Sequence, residues 1–140
     1  GYKDLDKSSD EILSTISFKL PTQNSHFNFE KVSKRIHLDI ASVNTAFQIT
    51  ITKNVVTQAH LSAGGVGPIP MYLGETCAFL TDKVLSPENV QSANEIIQTE
   101  INPISDVRGS ADYKRLLLRQ LFYAHFITLF PDQFSLDSFK

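Results

Sequence analysis

The chain has 140 residues, 41% hydrophobic and 20% charged, with a net charge of −2. These values suit one globular domain burying roughly 65–70% of its unfolded surface. They exclude a disordered chain and a global field that would draw it to nucleic acid or an anionic membrane. A lone cysteine, Cys77, excludes an internal disulfide framework and an iron–sulfur cluster held by this chain's own thiolates.

The chain starts at Gly1-Tyr2-Lys3 without an initiator methionine or signal-peptide pattern, so it reads as a processed or excised piece. Residues 3–10 are polar and read as a loop. Ile12, Leu13, Ile16, Phe18 and Leu20 alternate with polar positions after Ser14, which predicts a strand over Glu11–Leu20 ending at Pro21. Phe27, Phe29 and Lys31 alternate with Asn28 and Glu30, predicting a second short strand. It runs into the basic cluster Lys31, Lys34 and Arg35, followed by Asp39-Ile40-Ala41.

Phe47, Ile49 and Ile51 alternate with Gln48, Thr50 and Thr52, and a second β-rich run follows from Val55 to Ser62. Between them, Lys53-Asn54 predicts a hairpin turn, since asparagine tolerates positive φ. One face of the hairpin must be buried, which directs Phe47, Ile49 and Ile51 to the core. Gly64-Gly65-Val66-Gly67-Pro68-Ile69-Pro70 ends the hairpin, and Met71–Asp82 reads as a short helix and a loop. Ser86-Pro87-Glu88 starts a helix whose stripe is Val90, Ala93, Ile96, Ile97 and Ile101. Ser110 caps a second, with Leu116, Leu117, Leu121, Phe122, Ala124, His125, Leu129 and Phe130 as its stripe and Pro131 beyond its end. Residues 132–140 read as a loose end or an arm toward a neighbour. Strands first and helices second predict an α+β fold, with an antiparallel sheet of three or four strands, helices on one face, and two main helices in the C-terminal half.

Chemistry is sparse. No histidine among His26, His37, His60 and His125 pairs at metal-ligand spacing, and no nucleophile elbow is present. His125 reads as a core or interface histidine. The Gly64–Gly67 run lacks the dinucleotide-binding and P-loop spacings and reads as a tight turn rather than a phosphate cradle. The basic cluster has two readings: a solvated strand end, or a place where an anionic or electron-accepting ligand meets Lys31 or Lys34.

The ordered run Gly1-Tyr2-Lys3, Asp10-Glu11-Ile12-Leu13, Ile16-Ser17-Phe18-Lys19-Leu20-Pro21, Lys31-Val32-Ser33-Lys34-Arg35, Asp39-Ile40-Ala41 and Gly64-Gly65 resembles the flavoprotein part of the xanthine dehydrogenase family of molybdenum hydroxylases. The likeness is to its C-terminal subdomain, similar to that of the carbon monoxide dehydrogenase flavoprotein, and it covers the chain to about Pro131. It implies a lead-in at 1–24 from the end of the preceding FAD-binding domain, the subdomain itself at 25–131, and a tail at 132–140. It implies an oxidoreductase in which electrons pass from a molybdopterin centre through 2Fe-2S clusters to FAD, and then to NAD or another acceptor.

Carried over by position, Ile12 and Leu13 lie against the flavin and Lys31 is the basic residue beside it. Val32–Leu38, with Lys34 within it, borders the flavin and influences access by the nicotinamide. An ammonium there would favour a negatively charged reduced flavin. The resemblance also implies partners: the FAD-binding and iron–sulfur domains, the molybdopterin subunit, and pairing of the lead-in with the preceding domain or a second copy. Neither nucleic acid nor a membrane is among them, and the expected setting is cytoplasmic. The Gly-rich phosphate-binding segment of the family is not among these residues, so they alone should bind FAD weakly or not at all and not be catalytic in isolation. The competing expectation is a free-standing α+β interaction module with no redox role.

Overall fold

A computed structural model describes residue 1 and residues 3–140; Tyr2, part of the ordered run above, lies outside the described residues. Four antiparallel strands lie in the order β1-β2-β3-β4: β1 (Ser25–Val32), β2 (Val43–Thr52), β3 (Val55–Gly64) and β4 (Met71–Tyr72). Three helices follow, α1 (Gly74–Leu80), α2 (Pro87–Glu100) and α3 (Ala111–Leu129), then a 3-10 turn at Leu136–Phe139. The α+β expectation holds, with its two main helices in the C-terminal half.

The hairpin turns where the sequence says it should. Lys53 and Asn54 both take left-handed φ, 51° and 63°, the signature of a two-residue type I′ turn. Alternation then sends Val43, Thr45, Phe47 and Ile49 inward. Ile51 departs from the expected core position and is only half buried. The pairing slips between Thr50 and Ile51, leaving Thr57 as an extra residue on β3, and this bulge re-aims the strand end.

α3 lies against β1 and β2, α1 against β3, and α2 against α1 and α3. Phe47, Phe122 and Phe126 are fully buried together, with ring centroids 5.1–6.2 Å apart. Each such side chain contributes about 1.5–3 kcal/mol by leaving water. Ser86 and Ser110 cap α2 and α3 as expected, accepting from the amides of Asn89 and Tyr113. Glu100, at the end of α2, accepts from the Glu75 and Thr76 amides and so supplies the cap that α1 lacks locally.

Three expectations are corrected. Glu11–Leu20 forms no strand: its apolar side chains are exposed and its backbone joins no sheet. Alternation specifies a strand only where a partner receives it. The tail is no loose end, because Phe134 is buried and Phe139 packs against the core. Met71–Tyr72 pairs with Ala63 and Ser62 as a short edge strand before α1, a length too small for periodicity to reveal.

Candidate functional site

β1 has two different faces. His26, Asn28, Glu30 and Val32 turn toward the helices, while Phe27, Phe29 and Lys31 turn outward. The two phenylalanines are 61% and 53% exposed, unusual for neighbouring aromatic residues on one strand. Their register partners are Gln48 and Ala46, and the partner of Lys31 is Asn44. His60 and Tyr72 complete the far side, joined by a 2.8 Å hydrogen bond between Nδ1 and the phenol oxygen. A shallow groove of about 180 Å³ runs from Phe27 to Tyr72 across this open face.

The basic stretch closes into a compact loop at the end of that row. Asp39 is its hub. It accepts from the Arg35 amide at 2.8 Å, and its carboxylate lies 3.5 Å from the Arg35 guanidinium. The hydrogen bond from the Arg35 amide holds the Asp39 carboxyl below the usual carboxylate range. Lys31 Nζ donates to the Asp39 carbonyl at 2.8 Å, which leaves two of its three donors for another partner. The Ser42 amide donates to the Val32 carbonyl and shuts the loop. Leu38 sits at φ 48°, an uncommon conformation for a branched side chain, and Ile36 and Leu38 are both fully open to solvent.

Of the four residues expected at the site, Lys31 and Lys34 share this loop. Ile12 and Leu13, 85% and 74% exposed, line a separate groove with Asp6, Lys7 and Glu11, and neither lysine reaches it. Gly65 is at φ +85°, and a Cβ there would stand 2.2 Å from the Ser42 carbonyl oxygen. The chain's own close approach therefore requires this glycine, which agrees with a tight turn and leaves no cradle for a phosphate.

Behind the loop lie groups the sequence did not single out. Ser42 Oγ donates to the Arg108 carbonyl at 2.9 Å, and Lys34 Nζ to the Val107 carbonyl at 2.5 Å. Lys114, 2% exposed, pairs with Asp106 at 2.9 Å. A signal was available: extending the α3 stripe back from Phe122 through Leu118 lands a charge on the buried face at Lys114.

His125 is a core histidine. Asn28 Nδ2 donates to the acceptor-only Glu30 carboxylate at 2.8 Å, which fixes the amide's orientation. The same nitrogen lies 3.0 Å from His125 Nδ1, so the imidazole proton sits on Nε2 and donates to Thr45 Oγ1 at 2.7 Å. Burial lowers its pKa to about 4. Among the described residues no group of His, Cys, Asp or Glu side chains is arranged to hold a metal ion, and no helix is long and apolar enough to cross a membrane.

In architecture this is an α+β domain that gives one sheet face to its own helices and leaves an aromatic and basic face open. Residues 28–129 match the family of CO dehydrogenase flavoprotein C-terminal domains, and the chain belongs to that family, the C-terminal subdomain of the flavin-binding part of molybdenum hydroxylases. It is 30% identical over 129 residues to xanthine dehydrogenase of Emericella nidulans, a match covering 88% of this chain and 9% of that protein. It is 25% identical over 132 residues to xanthine dehydrogenase 1 of Arabidopsis thaliana, covering 91% of this chain and 10% of that one. The chain thus spans about a tenth of the length of the curated relatives it matches. Among solved structures, CO dehydrogenase from Oligotropha carboxidovorans superposes with a TM-score of 0.67 at 22% identity, over 73% of this chain and 35% of that chain. Quinoline 2-oxidoreductase from Pseudomonas putida 86 gives 0.68 at 22% identity, over 79% of this chain and 38% of that one. At these identities the structural likeness concerns the fold.

Proposed function

We propose that the chain is the subdomain bordering FAD in a xanthine dehydrogenase-like oxidoreductase, where it helps electrons pass from 2Fe-2S clusters to NAD or another acceptor. The observation that carries the proposal is the outward row Phe27, Phe29 and Lys31, continuous with the basic loop. A planar aromatic ring system with an edge that gains negative charge matches two exposed phenylalanines ending in an ammonium. FAD, when bound, supplies the chemistry of taking up and passing on electrons. Lys31 supplies positive charge at the ring edge, and the Val32–Leu38 loop, with Lys34 in it, limits the approach of the acceptor. Ile12 and Leu13 join that site only when the lead-in is laid against the preceding flavin domain.

The fit extends to the ring and not to the phosphates, since the glycine turn is filled by its own neighbours. The other partners would be the FAD-binding and iron–sulfur domains and the molybdopterin part of the enzyme. Low cysteine content supports a reducing, cytoplasmic setting.

Two measurements test this. These 140 residues alone should bind FAD more weakly than micromolar, and tight binding in a fluorescence titration would contradict the division of the site. In the complete flavoenzyme, Lys31→Met should move the flavin midpoint potential to more negative values while reduction by substrate at the molybdenum centre is unchanged. An unmoved potential would remove Lys31 from the site. The exposed lead-in and open sheet face also suit an interaction module without a redox role. A gene that lacks a Gly-rich flavin-binding region upstream would favour that second reading.

A further inference from the structure

The basic loop is anchored from behind at both ends. Lys34, near its start, donates to the Val107 carbonyl, and Ser42, just past its end, donates to the Arg108 carbonyl. Both carbonyls belong to the turn Asp106–Gly109. That turn is closed by reciprocal backbone bonds of 3.0 and 3.1 Å between Asp106 and Gly109, and by Asp106 Oδ1 accepting from the Arg108 amide at 2.8 Å. Gly109 has φ +153°, and a Cβ there would lie 2.6 Å from the Tyr113 ring, so the turn is also shaped sterically.

Val107, in the turn, is exposed, and a partly open pocket of about 520 Å³ lies beside it, bounded by Ser42, Gly65, Pro68, Ile104, Arg108 and Lys114. Besides the Ser42 bond, what ties the turn to the body of the domain is Lys114, in the first turn of α3. Its ammonium is buried and donates to Asp106 Oδ2 and to the Ile104 carbonyl, both at 2.9 Å. A buried ammonium that loses its carboxylate is strongly disfavoured, so the turn cannot drift away from α3 without stranding that charge.

We infer that Lys114 and Asp106 are positioning residues for the loop from Ser33 to Ala41: they hold the Val107 and Arg108 carbonyls where Lys34 and Ser42 reach them, and so fix the loop from the helix side. The consequence for cofactor access rests on the proposed reading of that loop as the flavin border; the anchoring does not.

The test is amide hydrogen exchange on the 140-residue chain, with the Arg35 and Ser42 amides as loop reporters and the Gln48 and His60 amides, register partners across β2 and β3, as hairpin references. Lys114→Met should speed exchange at the loop reporters by about tenfold or more and leave the references unchanged, because only the loop opens. Lys114→Arg, which keeps the charge and the donors, should restore the loop. Loop reporters that do not move, or that move only together with the references, would overturn the inference. If Lys114→Met does not fold, Asp106→Asn, which keeps an oxygen facing the ammonium, carries the same expectation at smaller size and decides it. In the complete flavoenzyme, Lys114→Met should then shift the flavin midpoint potential in the direction expected for Lys31→Met. A loosened loop with a flavin indifferent to both variants would support the anchoring and overturn the flavin reading.

Discussion

Residues 3–24 and residues 131–140 flank the same core and meet opposite fates. The first segment carries Ile12, Leu13, Ile16, Phe18 and Leu20 in the open. The second buries Phe134 against Phe126, with centroids 5.6 Å apart, and stacks Phe139 on Tyr123 at 4.3 Å. The tail also ties its backbone down: Phe134 donates to the Phe130 carbonyl, and Gln133 Nε2 reaches the Leu85 carbonyl. The lead-in makes few comparable bonds. Near its junction the Asn24 carbonyl receives the Ile51 amide, which continues the ladder at the corner of β2 but pulls no apolar side chain inward. The difference lies in what each segment can reach. α3 presents Tyr123 and Phe126, on which the tail packs at once, whereas the apolar row of the lead-in stays in water and the outer edge of β1 has no strand paired to it among the described residues.

The largest effect that tests this contrast falls at the tail. Phe134→Ala removes a fully buried ring and leaves a cavity between the Phe126 and Phe139 rings. A loss of about 3 kcal/mol or more is expected, measured as a fall in the urea midpoint at unchanged slope. A loss below about 0.5 kcal/mol, the range of ordinary surface changes, would mean that the tail is not part of the core.

The same contrast explains what could be read in advance. The hairpin, both long helices and their serine caps were legible because each is specified locally: Asn54 for the turn, Ser86 and Pro87 for one start, Ser110 for the other. Lys31 and Lys34 were legible as a pair because they are close in sequence. The tail was not, since Phe134 and Phe139 stand among polar residues and their burial depends on Tyr123 and Phe126 being in place. The Glu11–Leu20 strand was over-read for the converse reason, a correct pattern without a local partner. Lys114 and Asp106 escaped because a lysine on a helix is ordinarily solvated, and only the stripe running through Leu118 gives it away.

His125 gives a smaller effect at the junction between the two ends, for it ties Asn28, just after the lead-in, to α3, just before the tail. Folded, it stays neutral down to about pH 4; unfolded, it takes a proton near the ordinary 6.5. The unfolded state therefore binds more protons as the pH falls. The stability linked to this group is complete above about pH 6.5 and declines toward pH 4, by about 2–3 kcal/mol. Denaturant unfolding across that window should show the decline. His125→Gln should start from lower stability and show a flatter pH profile between the same limits, while the depressed carboxyls of Asp39 and Asp106 contribute to both proteins alike. Equal slopes in the two proteins would show that the imidazole is not the titrating group.

The smallest effect on stability is expected at the lead-in, where it says the most about function. Ile16→Ser with Phe18→Ser should leave the unfolding free energy within about 0.5 kcal/mol, because both side chains are already in water. The same pair should change how the chain associates. An alternating apolar segment beside an unpaired strand edge recruits another strand, whether from a preceding domain or a second copy. Light scattering at high concentration should find the original chain self-associating and the double variant less so. A strict monomer in both cases would mean that the exposed row needs no cover, and the proposed docking of this segment against a flavin domain would lose its physical basis. A drop in association at constant stability would instead mark the lead-in as half of an interface, with its apolar face supplied by this chain and its partner strand supplied from elsewhere.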